Sequence, residues 1–598
     1  MRITFLASEL SSRVPGPLGG YLGRSRVRAW GVVIWGALIL ALWAAGPAQG
    51  AEIFRDVAAE SGLDYLHFNG ASGELYYVEI TSPGGAWFDY DNDGDLDVYV
   101  VQGEMLGGKT FEQAVGTTAY PKPLTDRLYR NDLKVNDDGT RSLEFTDVTQ
   151  NARLAPSTYG MGVATGDFDN DGWTDLYITN LGANNFLKNN GDGTFTDITE
   201  STGTNDPRWS ISSTFFDYDR DGWLDLFVVN YVDFIAAKHK LCPSPTGARD
   251  YCGPLAYKPV VDRLFRNRGD GTFEDVSTKA KINVDARTGL GVVAADFDRD
   301  GWLDLYVAND GTSNQLYLNE HDGTFRDDTV LAGAAVNAEG KREASMGVDA
   351  ADFNQNGYDD LFMTHLTGET NTLYVNSGGA MFSDETQTAG LGTPSWRFTA
   401  FGTRFFDYDN DGWLDLITVN GAVAFFATGR RLSLDQTNQL FRNIEGQRFD
   451  EVSATAGEVF KLSEVSRGAA FGDVDNDGDV DVLVLNNAGP ARLLLNEVGS
   501  SNGWLGVRAV DPKTSRDQLG SQVTLIRSDA PPLRRRIQTD GSYASASDPR
   551  VIFGLGQDSA AAYSVQVDWS DGQSEIFPDL TSGRYHLLEK GRGKASIK

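Results

Sequence analysis

The nonapeptide DYDNDGDLD, residues 89–97, sets five aspartates at alternate positions and runs straight into the apolar stretch VYVV. Like charges packed this closely repel, so the segment needs a counter-charge to fold tightly. Six further copies follow: DFDNDGWTD (167–175), DYDRDGWLD (217–225), DFDRDGWLD (296–304), DFNQNGYDD (352–360), DYDNDGWLD (407–415) and DVDNDGDVD (473–481). Glycine holds position 6 in all of them. Positions 1, 3, 5 and 9 supply side-chain oxygens: Asp89, Asp91, Asp93 and Asp97; Asp167, Asp169, Asp171 and Asp175; Asp217, Asp219, Asp221 and Asp225; Asp296, Asp298, Asp300 and Asp304. The later copies supply Asp352, Asn354, Asn356 and Asp360; Asp407, Asp409, Asp411 and Asp415; Asp473, Asp475, Asp477 and Asp481. Position 7 adds a backbone carbonyl, from Asp95, Trp173, Trp223, Trp302, Tyr358, Trp413 and Asp479.

Alternate residues of a tight loop aim oxygens at one centre, and glycine supplies the left-handed turn. An all-oxygen shell of six or more donors suits Ca²⁺, whereas Mg²⁺ demands a stricter octahedron. About seven calcium sites are expected. The one at 352–360 is the weakest, because Asn354 and Asn356 carry no charge. An EF-hand shares the opening of the pattern but needs a glutamate at position 12. Here that position is Val100, Ile178, Val228, Val307, Met363, Thr418 or Val484, which excludes it. A solvated acidic turn explains one copy but not seven at fixed internal spacing.

Two quieter signals keep step with the loops. One is an apolar strand ending in asparagine: LYRN (128–131), FLKN (186–189), LFRN (264–267), LYLN (316–319), LYVN (373–376), LFRN (440–443) and LLLN (493–496). The other opens on phenylalanine, as in FRDV (54–57), FTDV (145–148) and FEDV (273–276), often after a turn such as NGDGT (190–194). Each unit therefore reads as strand, acidic loop, strand, connection, strand, glycine turn, strand, which is a propeller blade. The chain opens with a fourth-strand signal and its last unit lacks one. The expected fold is an all-β, seven-bladed propeller over 51–497, closed by the N-terminal strand, followed by a small β-rich domain at 498–598.

Composition sets the outer limits. The net charge of −32 argues against a nucleic-acid binder, and 40% hydrophobic residues allow a substantial core. Residues 29–45 are uncharged and follow RSRVR, with Ala48 and Gly50 placed before a cleavage point. This predicts a signal peptide over residues 1–50, with an uncleaved anchor as the alternative and membrane association only in that case. The protein is then secreted or extracellular, or periplasmic or surface-displayed if bacterial. The two cysteines, Cys242 and Cys252, predict a local disulfide.

The acidic loops resemble the FG-GAP (VCBS-type) repeats of integrin α-chain propellers. The runs WFDYDNDGDLDVYVVQG (87–103) and DYCGPLAYKPVVDRLFRNRGDGTFEDVS (250–277) look more narrowly like the cartilage acidic protein family. In the tail, LGSQVTLI, RRRIQTDGSYASAS, VIFGLGQ and VQVDWSDGQSEIF are similar to an ASPIC/UnbV domain, though GSYASAS lacks the glutamine that family more often carries there. The resemblance implies an extracellular calcium-binding protein.

Residues 504–598 hold 13 Lys/Arg against 11 Asp/Glu, so the acidity lies in the propeller. Arg534, Arg535 and Arg536 either dock against the propeller, bind an acidic glycan, or alternate as solvent-facing charges on a strand. The distance from the ninth-position aspartate to the third strand is 31 residues in unit one, 39 in unit three and 25 in unit six. These insertions share the side opposite the acidic loops and predict a binding surface for an extracellular protein or glycan. Asn180, Asn230, Asn309, Asn420 and Asn486, with Gln102 and His365, end the second strands; they either face a ligand near the axis or cap their own turns. The alternative function is a secreted carbohydrate-active enzyme, a polysaccharide-cleaving propeller. None of the five histidines (His67, His239, His321, His365, His586) forms a nucleophile–base signature, and no catalytic residue is assigned.

Overall fold

The structure, a computed structural model, describes residues 52–116, 120, 122–154, 158–427, 430–431, 433–557, 560 and 562–596. The expected signal peptide or anchor lies outside the described residues. Among those described, no helix is long and apolar enough to cross a membrane.

The chain is all-β, built from repeated four-stranded antiparallel sheets, seven among the described residues. They are numbered here by the acidic loop each carries. Sheet two shows the plan: Gly160–Gly166, Asp175–Asn180, Asn185–Asn189 and Phe195–Asp197, hydrogen-bonded in chain order. The first two strands are buried along their whole length, so both faces read apolar. The seventh sheet takes Ser466–Gly472, Asp481–Asn486 and Arg492–Asn496 from the end of the repeats and Phe54–Asp56 from the start. Phe54 pairs with Asn496, and Asp56 with Leu494.

The asparagine that ends each third strand links neighbouring sheets. Its amide donates to the carbonyl of position 2 in the preceding sheet's acidic loop. Asn189 reaches Tyr90, Asn267 reaches Phe168, Asn319 reaches Tyr218, Asn376 reaches Phe297, Asn443 reaches Phe353 and Asn496 reaches Tyr408, at 2.7–3.1 Å. Asn131 of sheet one makes the same bond to Val474 of sheet seven, at 3.1 Å.

Residues Glu52–Lys598 form one compact unit. The C-terminal part adds a three-stranded sheet, with Gly503–Val510 between Val551–Gly556 and Tyr585–Glu589, and a five-stranded sheet. Val507, Val523, Val565 and Phe553 join these sheets in a core that also takes in Phe215 and Leu224 of sheet three. From this module the segment Gln538–Asp548 passes among the first strands of all seven sheets. Ala546 N–H donates to the Gly85 carbonyl, and Val163 N–H to the Ala544 carbonyl. Asp540 Oδ2 accepts from Thr214 Oγ1 at 3.1 Å and Ala294 N–H at 2.7 Å. Val348 N–H meets the Ser542 carbonyl, Thr403 N–H meets Ser542 Oγ, and Asp548 N–H meets the Phe471 carbonyl. Glycines make the approach possible: a Cβ on Gly84 would lie 1.8 Å from the Ala544 carbonyl oxygen, and one on Gly162 would lie 2.6 Å from it.

Candidate metal loops and the opposite face

The ninth-position aspartate anchors each loop. All seven are buried, at 0–1% exposure. One oxygen accepts the N–H of the third-strand asparagine at 2.7–2.8 Å. In six loops the other accepts the N–H of position 2, as Phe297 donates to Asp304 at 3.0 Å. The first-position aspartate accepts the N–H of the position 6 glycine in every loop, at 2.8–3.1 Å. Those glycines have φ between +86° and +96°. Position 4 is also left-handed in all seven, at Asn92, Asn170, Arg220, Arg299, Gln355, Asn410 and Asn476. Its side chain crosses to the next loop, as Asn92 does to the Gly172 carbonyl at 2.9 Å and Arg220 does over the Trp302 ring.

These turns gather carboxylates. Positions 1, 3 and 9 bring oxygens within 4.8 Å of one another at Asp89, Asp91 and Asp97; Asp167, Asp169 and Asp175; Asp217, Asp219 and Asp225; and Asp407, Asp409 and Asp415. In loop four the trio is Asp296, Asp298 and Asp300. Every loop also holds one buried carboxylate oxygen without a hydrogen-bond partner among the described residues. It belongs to Asp91, Asp169, Asp219, Asp296, Asp360, Asp409 or Asp479. A buried charged acceptor with no donor is costly, and a cation fits it. The donor set, hard oxygens alone, fits calcium.

The fifth position is more committed than the spacing implies. Asp171, Asp221 and Asp411 each accept the N–H of position 7, and each also faces a base from the third strand. Lys188 bridges Asp169 and Asp171; Arg266 bridges Asp219 and Asp221; Arg442 bridges Asp409 and Asp411. In loop five Asn356 donates to the Asn376 carbonyl at 3.1 Å, so an amide hydrogen bond stands where other loops place charge. Restoring that charge with N354D/N356D is expected to tighten calcium binding at this loop about tenfold, read by titration calorimetry. Position 7 has a second task. Trp173 lies against Gly191 and Trp223 against Gly269, covering the hairpin between strands three and four.

Burial, the largest cause, pushes the Asp89, Asp167 and Asp217 carboxyls up to about 6. Without metal, the unfolded chain loses these protons near pH 4 while the folded chain keeps them to about 6. The folded state therefore binds more protons across that window, and stability falls as pH rises through it. Chelated protein is expected to melt lower at pH 7.5 than at pH 5, and calcium to abolish the difference, measured by calorimetry.

The C-terminal module covers the acidic-loop side. Tyr585 Oη donates to Asp473 at 2.7 Å, Arg550 to the Asp473 carbonyl at 2.9 Å, and Arg516 to the Gly222 carbonyl at 3.1 Å. Arg534, Arg535 and Arg536 are half-buried against sheets five and six rather than spread as solvent-facing charges.

On the other side, Cys242 and Cys252 form a disulfide that joins the two-stranded turn Cys242–Pro243 and Arg249–Asp250. Insertions three and six meet: Asp250 accepts from Phe425 and Phe426 N–H at 3.0 and 3.2 Å. Tyr77, Trp209, Tyr231, Tyr257 and Tyr543 pack in one cluster with Cys252. The second-strand asparagines are buried and cap locally, as Asn180 does to the Ala183 carbonyl and Asn420 to the Thr437 carbonyl. His365 belongs to the same device: Ser345 Oγ meets its Nε2 at 3.1 Å, just as Ser210 Oγ meets Asn230 in sheet three.

An FG-GAP-like repeat model matches residues 89–178, 167–228, 251–307, 296–363 and 352–418, and an ASPIC and UnbV model matches 511–595. The chain belongs to the FG-GAP-like repeat family and carries an ASPIC/UnbV domain. It is similar to cartilage acidic protein 1 of Mus musculus, 26% identical over 315 residues, covering 51% of this chain and 45% of that protein. The Homo sapiens protein is 26% identical over 330 residues, covering 54% and 46%. The match thus spans about half the length of these relatives. Among solved structures, YCF48 bound to D1 peptide matches at 8% identity and TM-score 0.39, covering 76% of this chain and 99% of that one. An Agrocybe aegerita lectin, described for recognition of non-reducing terminal N-acetylglucosamine, matches at 18% identity and TM-score 0.36, covering 63% and 90%. TM-scores this low transfer neither architecture nor ligand.

Proposed function

We propose that this chain is a calcium-stabilised, seven-bladed propeller, closed by Phe54–Asp56, that works outside the cytosol as a binding module for a protein or glycan. The observation that carries the calcium reading is the single unpartnered, buried carboxylate oxygen in each of the seven acidic loops. Closure is supported by the asparagine link from Asn131 back to Val474 and by the pairing of Phe54 with Asn496. Export is supported by the disulfide, which persists in oxidising compartments, and by the apolar leader in the sequence.

Recognition is assigned to the insertion side because the chain's own C-terminal module packs over the loops. There the disulfide-braced insertion exposes Ile235, Leu241 and Leu255, the last at 73%, beside Lys238 and Lys240. Calcium-loaded protein screened on glycan and extracellular-protein arrays is expected to bind through this patch. A variant with L241S and L255S should lose the signal at an unchanged melting temperature. Release of cleaved glycan by the wild-type protein would overturn the binding reading in favour of an enzyme.

A further inference from the structure

We propose that a tetrahedral oxyanion of sulfate or phosphate size binds in a small, partly open pocket where sheets five to seven meet the C-terminal module, held by Arg404, Arg535 and Arg536. The cavity measures about 90 Å³, room for a small anion and little else. Arg404 rises from the first strand of sheet six, Ala400–Phe406, while Arg535 and Arg536 end the module's strand Leu533–Arg536.

Four guanidinium nitrogens around this space have no hydrogen-bond partner among the described residues. They are Arg404 Nη1, Arg535 Nη2, and Arg536 Nε and Nη2. The Arg536 side chain is only 5% exposed. Neither Arg404 nor Arg535 has a carboxylate within 4.0 Å among the described residues, while Arg536 Nη1 pairs with Asp540 at 3.3 Å and leaves its other two nitrogens free of partners. For Arg404 and Arg535, burial, the leading cause, pushes both guanidiniums down from their usual range, against the opposing charge of Asp349 on Arg404 and of Asp407 on Arg535.

Five carboxylates line the wall: Asp349, Asp407, Asp473 and Asp548 are hydrogen-bonded or paired, and Asp359 is half-exposed. Asp349 accepts from Gln538 Nε2 at 3.1 Å and Phe405 N–H at 2.8 Å. Asp407 accepts from Asp411 and Gly412 N–H, and Asp548 pairs with Arg550 at 2.8 Å. Among the buried lining atoms without a hydrogen-bond partner, the four guanidinium nitrogens outnumber the one acceptor, Gln538 Oε1, and buried charged donors do not go unmatched without cost. Forked guanidinium groups suit an anion with several oxygens, which each oxygen can share between two N–H groups. Such an anion would tie sheet six to the strand that leads into the segment Gln538–Asp548. Asp407 and Asp473 of loops six and seven share this wall, so the binding is measured both in calcium and in chelator.

Sulfate titrated calorimetrically into the Glu52–Lys598 protein at matched ionic strength, with chloride as control, tests this. Ion chromatography of anions released on unfolding detects any oxyanion already held. Sulfate binding at one site, or release of about one oxyanion per chain, is expected. Arg404→Met and Arg535→Met should each weaken sulfate binding at least tenfold. Wild-type protein that neither binds nor releases an oxyanion overturns the proposal, and that result does not depend on the variants folding. So do folded variants that bind sulfate as the wild type does.

Discussion

Replacing Tyr543 with alanine should cost about 3–5 kcal/mol of folding stability, the range for deleting a large buried aromatic. Tyr543 is fully buried, 4.8 Å edge-on from the Phe401 ring, and its hydroxyl donates to the Thr81 carbonyl at 2.8 Å. It touches the cluster that includes Met161, Ile211, Leu290 and Met346, contributed by sheets two to five. Truncation there opens a cavity that rigid first strands cannot collapse into. Urea denaturation followed by fluorescence measures the loss. Y543F, which keeps the ring and removes only the Thr81 hydrogen bond, should cost about 1 kcal/mol.

The second large effect falls on the ninth position. In D304A the N–H groups of Phe297 and Asn319 lose their acceptors while staying buried. Each stranded donor costs about 1–3 kcal/mol, so the variant should lose about 2–6 kcal/mol even in chelator. D304N retains an acceptor and should lose roughly half as much. In calcium the gap between wild type and D304A should widen, because the wild-type site gains binding energy that the variant lacks. Thermal denaturation of the three proteins, with calcium and with chelator, separates the two contributions.

The repeat was legible because its signals are local. Glycine at position 6 and aspartate at position 9 are dictated by a turn and by a buried acceptor, and both follow from nine residues. The four-strand unit and the pairing of Phe54–Asp56 with the last repeat also followed from the order of short patterns. What stayed hidden was nonlocal. Nothing around LYRN or LLLN tells that the asparagine amide reaches into the preceding sheet. The bases at Lys188, Arg266 and Arg442 read as ordinary strand residues until the hairpin turns them onto positions 3 and 5. The segment Gln538–Asp548 that meets every first strand is the least local feature of the fold. Gly291, Gly347 and Gly402 make room for the neighbouring sheet, whereas a signal for the segment existed in Gly84, Gly162 and Gly468, where a Cβ would strike Ala544 or Ser545. Their partner, Gln538–Asp548, lies up to more than 400 residues away, and no local pattern joins the two.

The arginine triplet teaches the same lesson about charge. On sequence alone Arg534–Arg536 sits on an alternating strand, where solvent-facing charge is the ordinary outcome. The structure half-buries it, because the facing surface is lined by the aspartates of loops five and six. Long-range charge complementarity decided the side chains' fate where periodicity could not.

The claim beneath all of this is that the acidic loops fold around calcium, and titration calorimetry of chelator-stripped Glu52–Lys598 protein tests it most directly. Several saturable sites, approaching one per loop, with a melting temperature that climbs as they fill, is the predicted result. At ten times the dissociation constant each site adds about 1.4 kcal/mol. A flat titration with an unmoved melting transition would contradict it.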